Sequence, residues 1–192
     1  GIIKSLKIVV GSFAIAAKAF KSGGAEAGPE RTDRDISVMS MLVGVVVTTL
    51  GIAIFFGTLK PSMTVLIVGL ALTLIFSFFF ASVAANAIAT TARNPVSGMT
   101  MLTIIISCLV LLNFGLSGSS GMFFVMAIAG MVCTSLSVSG QTITDLKTGY
   151  WLGSTPAQQE KVKFYGVIAA AAAAGVTIVL LARVFQFGET AP

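Results

Sequence analysis

The sequence predicts an all-α, polytopic transmembrane helix bundle preceded by an amphipathic interfacial helix. Three observations lead there. Hydrophobic residues make up 56% of the 192 positions and charged residues only 10%, with a mean hydropathy of +0.99. A soluble domain carries about a quarter of its residues as Asp, Glu, Lys and Arg, so too little charge remains to cover a water-exposed globule. Secondly, the charges are clustered: residues 36–59, 61–92, 94–144 and 164–182 contain none. Apolar runs of about 18 residues or more are long enough to cross about 30 Å of hydrocarbon. Thirdly, these runs are continuously apolar and do not alternate in short strands, which selects helices over a β-barrel.

Residues 1–22 read as the amphipathic element. At about 100° per residue, Lys4, Lys7, Lys18 and Lys21 share one face, with Ile2, Leu6, Val9, Phe13, Ala17 and Phe20 opposite. Such a helix suits the headgroup plane, and a true span is the alternative. Residues 23–35 contain glycines, Pro29 and alternating charges, and read as a solvated linker. Five hydrophobic segments follow in the membrane domain, 36–192. Segment 36–57 lies between the Asp33, Arg34, Asp35 cluster and Lys60-Pro61. Segment 63–89 is rich in Phe. Segment 96–116 opens with the Pro- and Gly-broken run Asn94-Pro95-Val96-Ser97-Gly98, so a re-entrant or half-broken helix is open beside a full span. Segment 121–139 follows the flexible run Ser117-Gly118-Ser119-Ser120, and segment 164–187 contains an alanine run, 169–174. Ser154 or Thr155 followed by Pro156 marks a helix start before that last segment.

Five crossings can be tested by counting cations. If the N-terminal segment is cytoplasmic, the inner stretches 1–35, 90–97 and 140–163 hold six, one and three Lys or Arg. Lys60 and Arg183 remain outside. Ten against two is a strong positive-inside bias. The net charge of +5 therefore reads as topology and does not point to nucleic acid, whose footprint gathers cations on one exposed face. Cys108 and Cys133 sit in apolar stretches as small hydrophobes. With no His, neither a metal site nor a cofactor is expected. No phosphate-binding glycine loop, nucleophile elbow or pair of catalytic carboxylates occurs, so an enzyme is not expected either.

Two stretches carry candidate chemistry. Around Asn94, Pro95 and Gly98, a broken helix at membrane depth would leave backbone dipoles facing a wet cavity, as in many secondary transporters; an ordinary interhelical loop is the plain alternative. The second stretch runs from Gly140 to Gly153. Gln141, Thr144 and Asp145 place polar groups near one helix end, followed by Lys147. Asp145 is the one acid between Asp35 and Glu160. A carboxylate in or beside a span is a candidate proton carrier or cation partner. Alternatively, Asp145 and Lys147 lie in the headgroup layer with Tyr150 and Trp151 as anchors.

Both stretches resemble the oligopeptide transporter family, its bacterial branch above all, which is related to the yellow-stripe-like carriers of metal chelates. The resemblance rests on Asn94-Pro95-Val96-Ser97-Gly98-Met99-Thr100 and on Asp145-Leu146-Lys147-Thr148-Gly149-Tyr150, continuing through Leu152-Gly153-Ser154-Thr155-Pro156 to Gln158-Gln159. Glu30-Arg31-Thr32-Asp33 before the first span fits as well. The resemblance implies a secondary active symporter in a bacterial inner membrane, importing small peptides or peptide-like metal chelates with protons. Its partners would be the lipid bilayer, that substrate, protons and the remaining transmembrane segments, because family members have many more spans. The 192 residues are thus expected to be an internal-to-C-terminal part of a longer protein. A non-transporting membrane scaffold and a channel are the rival readings.

Overall fold

A computed structural model describes Gly11 and residues 35–59, 62–115 and 118–185. Apart from Gly11 and Asp35, the expected interfacial helix 1–22 and linker 23–35 lie outside the described residues. Among those residues the chain forms five helices and no strand: α1 (Val38–Thr58), α2 (Met63–Thr91), α3 (Val96–Asn113), α4 (Gly118–Trp151) and α5 (Pro156–Phe185). All five are long and apolar enough to cross a membrane. The protein is a polytopic helical bundle.

Local chemistry explains where the helices start and stop. Ser37 caps α1, its hydroxyl accepting from the Ser40 amide at 3.4 Å. α2 ends where Ala92 turns left-handed, with φ 54, and its N–H bonds the Ile88 carbonyl at 2.9 Å. Pro95 then stands directly before α3, where a missing N–H costs nothing. α4 closes in a Schellman arrangement. Gly153 takes φ 71, its N–H reaches the Tyr150 carbonyl, and the Ser154 N–H reaches the Gly149 carbonyl at 2.8 Å. α5 then starts at Pro156 behind Thr155, as the sequence predicts.

Two helices outlast the apolar segments they contain. α4 continues past Ser139 to Trp151, and α5 begins eight residues before the apolar run at 164. Charge ends lipid contact, yet it does not end a helix. The polar side chains of the extension bond back to their own backbone: Thr142 Oγ1 donates to the Val138 carbonyl at 2.7 Å and Thr148 Oγ1 to that of Thr144 at 3.0 Å. Of the run 117–120, the described residues Gly118, Ser119 and Ser120 already belong to helix α4, which begins at Gly118.

α4 is the centre. α2 and α3 pack along it, α1 leans on α2, and α5 meets α4. Buried positions on α2 recur every four or seven residues: Val65, Gly69, Thr73, Phe80, Ala84 and Ile88. On α3 they are Thr103, Ser107 and Leu111. α4 contributes Phe124, Val125, Ile128, Val132 and Leu136. Small residues permit close approach, which carries helix association in lipid where no hydrophobic force drives it. A Cβ on Gly69 would lie 2.5 Å from the Phe124 ring, and that ring packs against Phe56 with centroids 4.6 Å apart. Thr73 and Thr103, though buried, send their hydroxyls to the Gly69 and Met99 carbonyls.

These contacts set direction. Gly69 near the start of α2 meets Phe124 near the start of α4, and Ile88 near the end of α2 meets Gly140 late in α4, so α2 and α4 run parallel. The α2–α3 turn therefore sits beside Gly140. From there α4 continues another 11 residues to Trp151, an overhang of about 16 Å at 1.5 Å per residue. α5 returns along this overhang. It has no buried residue.

Candidate functional site

The stretch 94–98 is a reversal between two helices. The chain turns at Ala92, Arg93, Asn94 and Pro95, and α3 then runs unbroken from Val96 to Asn113. Pro95 and Gly98 therefore interrupt no helix, in keeping with the plain interhelical loop of the two readings that the sequence leaves open. Pro95 precedes the first helical residue, and Gly98 lies in the first turn with open space around it. The Pro95 carbonyl accepts from the Met99 amide at 3.3 Å, and no side chain caps the preceding amides. Asn94 lines a shallow hollow of about 580 Å³ with Val96, Ser97, Thr100, Met101 and Cys133.

Asn94 has a second role. Its side chain lies directly against Gly140, where any Cβ would collide with it and with Ile88. The two stretches that stand out in the sequence thus meet in space at Gly140, one residue before Gln141. The sequence separates them by more than forty positions.

Beyond Gly140, α4 and α5 form an antiparallel hairpin around an open groove of about 810 Å³. Its residues pair in a ladder, each step four residues back on α4 and four forward on α5. Gly149 faces Gln159, whose amide occupies the space a Cβ would need. One turn further, Asp145 Oδ2 meets Lys163 Nζ at 2.8 Å. The groove then opens past Gln141, with Gly166, Val167 and Ala170 on the α5 wall. Lys163 is the sheltered partner of the ion pair at 22% exposure, against 63% for Asp145. So exposed a carboxylate limits the pair to about 1 kcal/mol or less. Its value is positional: it fixes a charge on each wall.

The seven candidate residues therefore divide. Gln141 and Asp145 line the groove, and Asn94 abuts it through Gly140. Thr144 does not line it; its hydroxyl donates to the Gln141 carbonyl at 2.9 Å. Lys147 points elsewhere, its ammonium lying 5.4 Å from the Tyr150 ring centroid and 5.5 Å from that of Trp151. Pro95 and Gly98 shape the turn below. Sequence reasoning missed Lys163, Gln159 and Glu160. Lys163 is 18 positions from Asp145, and only folding the chain back about Gly153 and Pro156 reveals the four-residue ladder. Glu160 also lines the groove; burial, and after it the charge of Asp35, pushes its carboxyl above the usual range, with Lys163 opposing. Among the described residues, no three His, Cys, Asp or Glu gather as a metal site.

Comparison with known proteins bears on this arrangement. The sequence profile described as OPT oligopeptide transporter protein matches residues 5–192. A Haemophilus influenzae protein provisionally named as an oligopeptide transporter is 27% identical over 191 residues. That alignment covers 88% of this chain and 30% of the relative, so the chain spans less than a third of that protein's length. No solved structure matches it significantly.

Proposed function

Because the chain belongs to the OPT oligopeptide transporter family, we propose that it forms part of a proton-coupled importer of oligopeptides or peptide-like metal chelates. It is an integral membrane protein of a transporter family, with five helices suited to span the bilayer. The observation that carries the finer reading is the groove on the α4 overhang. Asp145, Lys163, Gln141 and Glu160 converge there, at the end of the charge-free run 94–144. A carboxylate in or beside a span is a candidate for a substrate or ion pathway.

The orientation follows from charge. Arg93, at the α2–α3 turn, lies toward the end of the bundle where the overhang carries Lys147, with Lys161 and Lys163 on the facing start of α5, while Arg183 closes α5. The Lys- and Arg-rich end is cytoplasmic under the positive-inside rule, in a bacterial inner membrane. Asp145 is the proton or cation partner, with Gln141 as a hydrogen-bonding neighbour. Asn94, through its contact with Gly140, holds the overhang in place.

Uptake by the full-length protein in proteoliposomes tests this. Peptide accumulates against its gradient when a proton gradient is imposed, and Asp145→Asn lowers the proton-driven rate and alters its pH dependence. Unchanged uptake and pH dependence in that variant would remove Asp145 from the mechanism. A second reading, a membrane scaffold, draws on α5, whose alanine-rich length faces outward without a buried residue. A scaffold gives no accumulation at all, and a channel gives flux without coupling.

A further inference from the structure

The α4–α5 groove carries an excess of negative charge and one amide oxygen without a donor among the described residues. Lys163 Nζ is engaged by Asp145 at 2.8 Å. The hydroxyls of Thr142 and Thr148 donate to carbonyls of their own helix. Gln141 and Gln158 each offer a donor and an acceptor, so they leave the balance as it is. Lys163 keeps two N–H groups beyond its bond to Asp145, and the other ionisable groups of the lining accept. Asp145 keeps its second oxygen, and Glu160 carries a carboxylate with no hydrogen bond among the described residues. Gln159 Oε1 is buried and, among the described residues, has no hydrogen-bond partner. Two carboxylates against one ammonium also leave the lining with a formal charge of −1.

A buried carbonyl oxygen with no donor is costly unless something supplies the missing N–H. Gly149 is buried and the Gln159 amide packs over it, so the helix pair seats this side chain in the groove lining. The volume of about 810 Å³ falls within the range of small-molecule sites. We infer that the groove receives the primary ammonium group of a ligand, with Gln159 Oε1 and the Glu160 carboxylate as its acceptors. An ammonium carries three donors and the opposite charge. Charged hydrogen bonds of this kind are the strong ones. For the ligand's identity the inference rests on the transport reading: the ammonium is the amino end of an oligopeptide, and Gln159 sets the preference for a free one.

The experiment is calorimetric titration of the purified full-length protein with tri-alanine and with N-acetyl-tri-alanine, which lacks the charge and two donors. The wild-type protein binds the free amine tighter by about tenfold or more, because a site built around acceptors rejects a ligand without the matching donor. Gln159→Met keeps the length that packs over Gly149 and removes the acceptor, and it brings the ratio of the two affinities toward one. Gln159→Glu retains an acceptor and preserves the ratio, which a merely structural role would not produce. Equal binding of both peptides by the wild type, no binding of either, or an unchanged ratio in Gln159→Met overturns the inference. Proteoliposome uptake separates it from its premise. Accumulation with no dependence on Gln159 leaves transport standing and removes the site. Gln159-dependent binding without accumulation does the reverse.

Discussion

Helix α4 makes two unlike contacts along its length. Its first two-thirds lie in the α2–α3 cradle, where Gly69, Phe124, Ile128 and Leu136 interlock. Among the described residues, its last three turns face α5, across a groove bridged by a glycine–glutamine contact and an ion pair. Each contact uses a glycine, and each glycine admits a different neighbour. At Gly69 the neighbour is an aromatic ring wedged against Phe56; at Gly149 it is the end of a flexible amide. In lipid, shape complementarity supplies the association, so the fit must be rigid. At the polar end a looser fit suffices, and it leaves room for a ligand.

The same substitution at both glycines would break the comparison if it cost the same. Gly69→Ala forces its Cβ into the Phe124 ring, and it is expected to lower stability by about 3 kcal/mol, the upper range for an overpacked core. Gly149→Ala displaces the Gln159 amide, which can swing into the groove, and Ala regains about 1 kcal/mol of helix propensity over Gly. Its net cost is therefore expected below about 1 kcal/mol. Thermal unfolding of the intact protein in detergent reads both values, and equal losses contradict the distinction.

A double-mutant cycle sharpens the polar side. Asp145→Asn combined with Lys163→Met should give a coupling energy of about 0.5 kcal/mol, declining as salt is added, as expected for an exposed pair. A coupling several times larger would mean the pair is buried in the assembled transporter. The smallest effect belongs to α5. Val176 is 67% exposed, and Val176→Ala should stay within about 0.5 kcal/mol of the wild type. A larger loss would show that another element covers that face in the intact protein.

Much of the architecture is legible without coordinates. The four charge-free runs, with the glycine–serine run 117–120 dividing 94–144, mark five helical regions, and Ser154-Thr155-Pro156 marks the start of α5. The core stripes are not legible. α2 is apolar on every side, with Ile67 and Ile75 outward and Val65 and Thr73 inward, so no contrast of polar and apolar faces tells which side packs. The site is half legible. Asp145 stands out because an acid is rare in such a chain, yet its partner does not. Lys147 is the nearer cation along the chain, but positions two apart on a helix diverge by about 200°. Lys163 arrives only through the hairpin.

Composition and the spacing of charge alone dictate membrane residence, helical class and the rough bounds of the apolar runs. Those properties follow from solvation, which each segment settles by itself. Tertiary packing decided which faces are buried, that Asn94 meets Gly140, and that Asp145, Gln159 and Lys163 share one groove. These depend on how far apart two backbones stand and in what register. Residues remote in the chain set that distance together, through a glycine on one helix and the side chain that fills its notch from the next.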